Sequence, residues 1–261
     1  MFEGAVALTD GQWTGEPYLE GSATAPRAGL AEDFLLTGDL DGDGTEESAV
    51  LLWSSGGGSG TFDYVAVLGR NGGGAVGNIA TTPLGDRVKV RSGAIEDGRI
   101  VFEVVQAGPD DAACCPGQKI RRTFALEGGA MREISTDDQG RLSLADVAGE
   151  WRLLRFGPDE TVPADVQINV QFDSGTIGGN AACNRYTGSV QEGAAPGAIA
   201  LAGPLATTRK MCPPPLMDWE KRYLAALEGL AQYTFIAGRL VLTWQRDGSS
   251  GQLVFVRAKA G

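Results

Sequence analysis

A chain of 261 residues with 43% apolar content has room for two ordinary domains, each with a packed core. Its 22 Lys and Arg against 33 Asp and Glu leave a formal charge of -11, a balance that repels nucleic-acid phosphates and anionic membrane surfaces. There is no histidine, which excludes Ser-His-Asp and Cys-His mechanisms, histidine metal ligands and the usual acid/base group at neutral pH.

Glycine is abundant, at 39 residues, and much of it separates short apolar runs, which favours β structure over helix bundles. No run is long and apolar enough to span a bilayer. Met1-Phe2-Glu3-Gly4 has no basic region ahead of an apolar core, so no signal peptide is visible. A chain starting after a removed export signal, with Met1 added, fits that pattern, and so does a cytoplasmic protein. The basic pairs Arg121-Arg122 and Arg209-Lys210 are isolated and read as solvated faces.

In chain order, residues 1 to about 33 hold few signals. Trp13 and Tyr18 read as packing residues near a domain edge, and Ser22 to Pro26 as a loop. Next comes Thr37-Gly38-Asp39-Leu40-Asp41-Gly42-Asp43-Gly44-Thr45-Glu46-Glu47. Asp39, Asp41 and Asp43 stand at positions 1, 3 and 5 of a calcium-type loop. The Thr45 carbonyl falls at 7 and Glu47 at 9, a set of hard oxygen ligands suited to calcium. Val50 occupies position 12, where an EF-hand needs Glu, and Ala49 to Trp53 reads as a strand. The loop resembles the D-x-D-G-D-G loop of FG-GAP and VCBS-type repeats, although it occurs once. A metal-free turn capped by Asp side chains is the alternative.

Ser54 to Gly60 reads as a flexible hairpin turn, lacking the lysine and helix of a phosphate loop. Strand-like runs follow at Phe62–Leu68, Arg87–Ile95, Arg99–Val105 and Lys119–Leu126. Turns are expected at Asn71-Gly72 and Asp97-Gly98, giving an antiparallel meander with one polar face. Gly108 to Pro116 interrupts the last hairpin and contains Cys114-Cys115, a loop that invites contact with a ligand. The pair is open to three fates: a vicinal bridge, two free thiols, or a bond to another chain. Zinc is disfavoured, because there is no histidine and no C-x-x-C pair. The N-terminal half resembles an uncharacterised domain of exported bacterial proteins, on its Asp-rich loop, Gly-Gly-Gly-Ser-Gly-Thr-Phe stretch and Cys-Cys-Pro loop. Asp137 to Gly140 reads as a linker.

The second half is organised by Gly178-Gly179-Asn180-Ala181-Ala182-Cys183-Asn184-Arg185-Tyr186-Thr187-Gly188, read as a tight polar turn, and by Ala206-Thr207-Thr208-Arg209-Lys210-Met211-Cys212. Three prolines follow. Leu216, Trp219, Tyr223, Leu227 and Leu230 then recur at helical spacing. Strands are expected near Trp151–Phe156, Val166–Phe172, Ile199, Arg239–Trp244 and Gln252–Val256, the last two joined at Arg246-Asp247-Gly248. Together with Gly149-Glu150-Trp151-Arg152-Leu153 and the Trp219 to Leu227 helix, these segments resemble a META (HslJ-like) domain. The resemblance implies a compact, mostly β domain with one helix, usually exported from bacteria and often lipid-anchored, associated with stress response and without a defined enzymatic activity. It puts Asn180, Asn184, Arg185, Thr208 and Arg209 in the motif, and favours a Cys183–Cys212 disulfide, since both cysteines belong to it.

The expected fold is mainly β (α+β): residues 1–140 form an antiparallel meander, and 144–261 a META-like β domain with one helix. The expected role is a non-catalytic envelope protein, periplasmic or at the surface, that binds or supports an envelope protein or ligand. A carboxylate- and cation-dependent hydrolase, and an inhibitor or ligand-binding module using the Cys114-Cys115 loop, are the alternatives.

Overall fold

The computed structural model describes residues 6–18, 24–58, 60–70, 74–112, 114–157 and 159–258. The Asn71-Gly72 turn, Met1 to Gly4, Ser22-Ala23, Ser59 and Ala113 lie outside them. The chain divides into two compact units, Met1–Gly140 and Arg141–Gly261. The first unit holds 22 of the acidic and 10 of the basic residues, so it carries -12 and the second +1. The acidic surface inferred from the whole chain is therefore a property of the first unit alone.

The first unit consists of two antiparallel meanders. One runs β1 (Gln12–Thr14), β2 (Arg27–Gly38), β3 (Glu47–Ser55), β4 (Phe62–Arg70), β5 (Val76–Asp86). The other runs β6 (Lys89–Glu96), β7 (Arg99–Gln106), β8 (Gln118–Glu127), β9 (Ala130–Arg141). Val65, Ala66 and Val67 of β4 are all buried, as are Ile100, Val101, Phe102, Val104 and Val105 of β7, so these two strands are covered on both faces and the single polar face expected of the meander does not extend to them. The Phe102 ring meets Phe34 of β2 at 6.1 Å and Phe124 of β8 at 6.0 Å, so one aromatic cluster joins the sheets. Buried Arg122 of β8 bonds Glu133 through two nitrogens, each at 2.7 Å, and donates to the Leu84 carbonyl of β5. That guanidinium holds the Glu133 carboxyl below its ordinary range.

Three local readings change. Asp137 to Gly140, expected as a linker, stand where the two units divide but are not irregular: they belong to β9, whose outer half is exposed. Arg27–Gly38 is a long strand where no element was expected. Tyr18 is 64% exposed and does not pack as a core residue, whereas Trp13 of β1 is half-buried.

The second unit starts with a 3-10 turn, Leu144–Val147, and continues through β10 (Gly149–Phe156), β11 (Glu160–Thr161), β12 (Asn169–Asp173), β13 (Thr176–Asn180), β14 (Arg185–Glu192), β15 (Ile199–Leu201) and β16 (Ala206–Thr207). Helix α1 (Pro214–Glu228) follows, then β17 (Leu230–Ile236), β18 (Arg239–Arg246) and β19 (Ser249–Arg257). The main sheet order is β15-β14-β13-β12-β10-β19-β18-β17, with β11 beside β10 and β16 beside β14. Its two ends meet: Ala198 bridges Gln232, and the Tyr233 amide donates to the Gly197 carbonyl at 2.8 Å. The sheet is thus barrel-like. Trp151, Leu153, Ile168, Phe235, Leu242 and Phe255 fill it, and Trp151 Nε1 donates to the Val147 carbonyl.

Helix α1 begins two residues earlier than its apolar stripe, because Pro214 and Pro215 sit in the first turn, where no amide donor is needed. Its buried face is Glu220, Tyr223, Ala226 and Leu227. The expected mainly β fold with a single helix is what the structure has. Among the described residues, no helix is long and apolar enough to cross a membrane.

Candidate functional site

The two motif segments and α1 meet at Asn184. The tight part of the expected turn is only residues 181–184, since Thr176–Asn180 and Arg185–Glu192 are paired strands. Ala182 there adopts a left-handed φ of 80°, a conformation costly for alanine that the surrounding bonds enforce. Asn184 is 3% exposed, and every polar group it carries has a partner. Its amide donates to Glu220 Oε2 at 2.7 Å, and its Nδ2 donates to Glu220 Oε1 and Oε2 and to the Lys210 carbonyl. Its Oδ1 accepts from Thr208 Oγ1 at 2.8 Å and the Lys210 amide at 2.7 Å. Its carbonyl takes the Ala181 amide. Thr208 Oγ1 accepts in turn from the Arg185 amide. One asparagine therefore ties three chain segments together, and the buried Glu220 carboxylate strengthens the bonds it accepts.

The cysteines close the same junction. Cys183 and Cys212 are bonded, with Cα atoms 5.9 Å apart and a sequence separation of 29. Loop closure of that length adds about 3–4 kcal/mol through the unfolded chain.

A second knot lies beside it. The Asn180 amide donates to Asn169 Oδ1 at 2.6 Å, and Asn169 Nδ2 donates to Glu150. Gly179 is required next to it: at φ 153° its Cα faces the Asn169 carbonyl, and a Cβ would run into that oxygen. The same carbonyl accepts from Tyr186 Oη at 3.1 Å and Tyr223 Oη at 3.3 Å, and the two phenols lie 2.8 Å apart. Burial pushes both phenols well above the ordinary tyrosine range, so they stay protonated and act as donors.

Over this knot opens a concavity of about 1230 Å³, lined in part by Gly178 and Gly179. Alternation along β13 and β14 sends Tyr186 and Ile177 inward and leaves Asn180, Arg185 and Thr187 on the rim, with Glu150, Asp173 and Lys210. Of the motif residues, Asn180, Arg185 and Thr208 line this groove. Asn184 is buried beneath it, and Arg209 is exposed away from it. Glu220, the partner of Asn184, is missed by sequence reasoning. Its signal is position: a carboxylate one turn after Leu216 and three residues before Tyr223, on the stripe that packs inward.

In the first unit, the structure brings Asp39, Asp41 and Asp43 together, with one oxygen of each within 4.8 Å of the others. Asp39 caps the Gly42 and Gly44 amides, Asp41 the Asp43 amide, and Asp43 the Thr45 amide. Glu47 does not join them. It starts β3, is 3% exposed, and accepts the Leu40 amide at 2.9 Å. The strand begins one position too early for a ninth-position ligand, and alternation turns that side chain into the core. Thr45 follows the three carboxylates in the exposed part of the loop. Cys114 and Cys115 are bonded to each other between β7 and β8.

Residues 143–260 match the family model of the META domain. The C-terminal unit is a META domain. The segments that mark it, Gly178 to Gly188 and Ala206 to Cys212, are thus the ones that Asn184 and the disulfide fasten to α1. No curated protein and no solved structure matches the chain.

Proposed function

We propose that the protein is a non-catalytic component of the bacterial envelope, periplasmic or at the cell surface, in which the META domain supports or binds an envelope protein or ligand. The observation that carries this reading is how the META motif spends its polar groups. Asn184, Glu220, Thr208, Tyr186 and Tyr223 bond one another or the backbone, and the phenols are held protonated by burial. Thr208 and Tyr186 border the groove, but their hydroxyls are engaged with Asn184 and with the Asn169 carbonyl and Tyr223. The disulfides favour an oxidising compartment. On the same reading, calcium is the ion suited to the Asp39, Asp41 and Asp43 carboxylates, at the concentration found outside the cytosol.

The test is fractionation of the native host with thiol trapping during lysis. Recovery in the envelope or periplasm with Cys183–Cys212 oxidised is expected. Recovery in the cytosol with free thiols, or release of a product when the purified protein meets isolated envelope polymer with calcium, would overturn the reading.

A further inference from the structure

The two disulfides differ in what they can contribute. Cys183–Cys212 spans 29 residues and restrains the unfolded chain. Cys114–Cys115 joins neighbours, closes no loop of chain, and so adds no such restraint. The peptide between them fixes their Cα atoms 3.8 Å apart, below the range of about 4.4–6.8 Å usual for bridged cysteines. Cys114 is exposed and Cys115 half-buried.

The loop is anchored without its sulfurs. Asp111 Oδ2 accepts the Gly108 and Gly117 amides, both at 2.8 Å, clasping the two ends together. Below the clasp, β7 and β8 stay paired to Gln106 and Gln118. The Cys115 amide donates to the Ala112 carbonyl. Breaking the bond therefore frees two thiols at the tip of a loop whose base holds.

We propose that Cys114–Cys115 is a thiol-exchange site, opened and re-formed by an external dithiol, while Cys183–Cys212 is structural. A thiolate of the dithiol attacks Cys114 Sγ, the bond to Cys115 Sγ breaks, and Cys115 leaves as a thiolate that takes up a proton. The second thiol of the partner then attacks the mixed disulfide and releases Cys114. Two electrons and two protons have passed to the chain, and the partner leaves as a disulfide. Exposed and strained bridges are the labile ones, which sets this pair apart from Cys183–Cys212. Asp110, Asp111 and the -12 charge of the unit disfavour anionic thiols, so a neutral dithiol reacts faster than glutathione, and added salt narrows the gap.

The experiment treats the full native chain with graded dithiothreitol, quenches with iodoacetamide and maps the modified peptides by mass. Cys114 and Cys115 are expected to be alkylated together at reductant levels that leave Cys183–Cys212 intact, and the pair to re-form with an oxidised dithiol. Opening of Cys183–Cys212 at the same level, or survival of Cys114–Cys115 until denaturant is added, would overturn the proposal. A Cys114→Ser/Cys115→Ser chain should melt within about 2 °C of the parent, because no loop-closure entropy is lost. A larger drop would assign the pair a structural role instead.

Discussion

Asp63 gives the sharpest quantitative prediction. It lies mid-sheet on β4, opposite Trp53 of β3 and Gly85 of β5. Burial pushes its carboxyl up to about 7, against the attraction of Lys89 and a hydrogen bond with the Val88 amide, and the Asp86 charge adds to the rise. In the unfolded chain the same group ionises near 3.8. Between those values the folded state holds a proton that the unfolded state has lost, so stability falls as pH rises through that window and is flat above it. At about 1.4 kcal/mol per pK unit, discounted for partial exposure, the loss is about 2–4 kcal/mol. Asp63→Asn keeps the acceptor and removes the charge. Its advantage over the parent should be small near pH 4 and grow to about 2–4 kcal/mol by pH 8, read from urea unfolding of the transition the substitution moves. A carbon NMR titration placing the Asp63 carboxyl midpoint near 4, or an advantage that does not grow with pH, would refute the burial argument.

Further outcomes follow from the junction and the loop. Asn184→Ala should cost about 2–4 kcal/mol in denaturant unfolding, because it strands the buried Glu220 carboxylate. Replacing Cys183 and Cys212 together by serine should lower stability by about 3 kcal/mol and leave the first unit's transition in place. Calcium at ten times its dissociation constant should add about 1.4 kcal/mol to the first unit, lost on chelation and in Asp41→Asn. Equal melting midpoints with calcium and with excess chelator would remove the ion.

The sequence speaks clearly where one periodicity dominates. The α1 stripe, the β8 alternation and the Asp97-Gly98 and Asp247-Gly248 hairpins each follow one rule, and both residues of those turns adopt positive φ as such hairpins demand. Strand β2 is hidden for a physical reason: its register with β3 breaks between Leu30 and Leu35, with Asp33 at φ 56°, so the alternation resets mid-strand. Gly29, which reads as a breaker, is the flat place on which the Trp53 ring lies. The outer half of β9 is polar and exposed and has the composition of a linker. In the META domain the motif marks the junction, but Asn184 and Glu220 stand 36 residues apart, and no local rule pairs them.

Where the two ends of the sheet bond to each other, backbone groups that an edge would offer to another chain are taken up within the unit. Gly197 and Tyr233 close the sheet in this way at that seam, which removes it as a place for a peptide to add a strand. If the META domain binds a partner as proposed, that partner would meet the rim of the groove, where Arg185, Lys210, Glu150 and Asp173 stand.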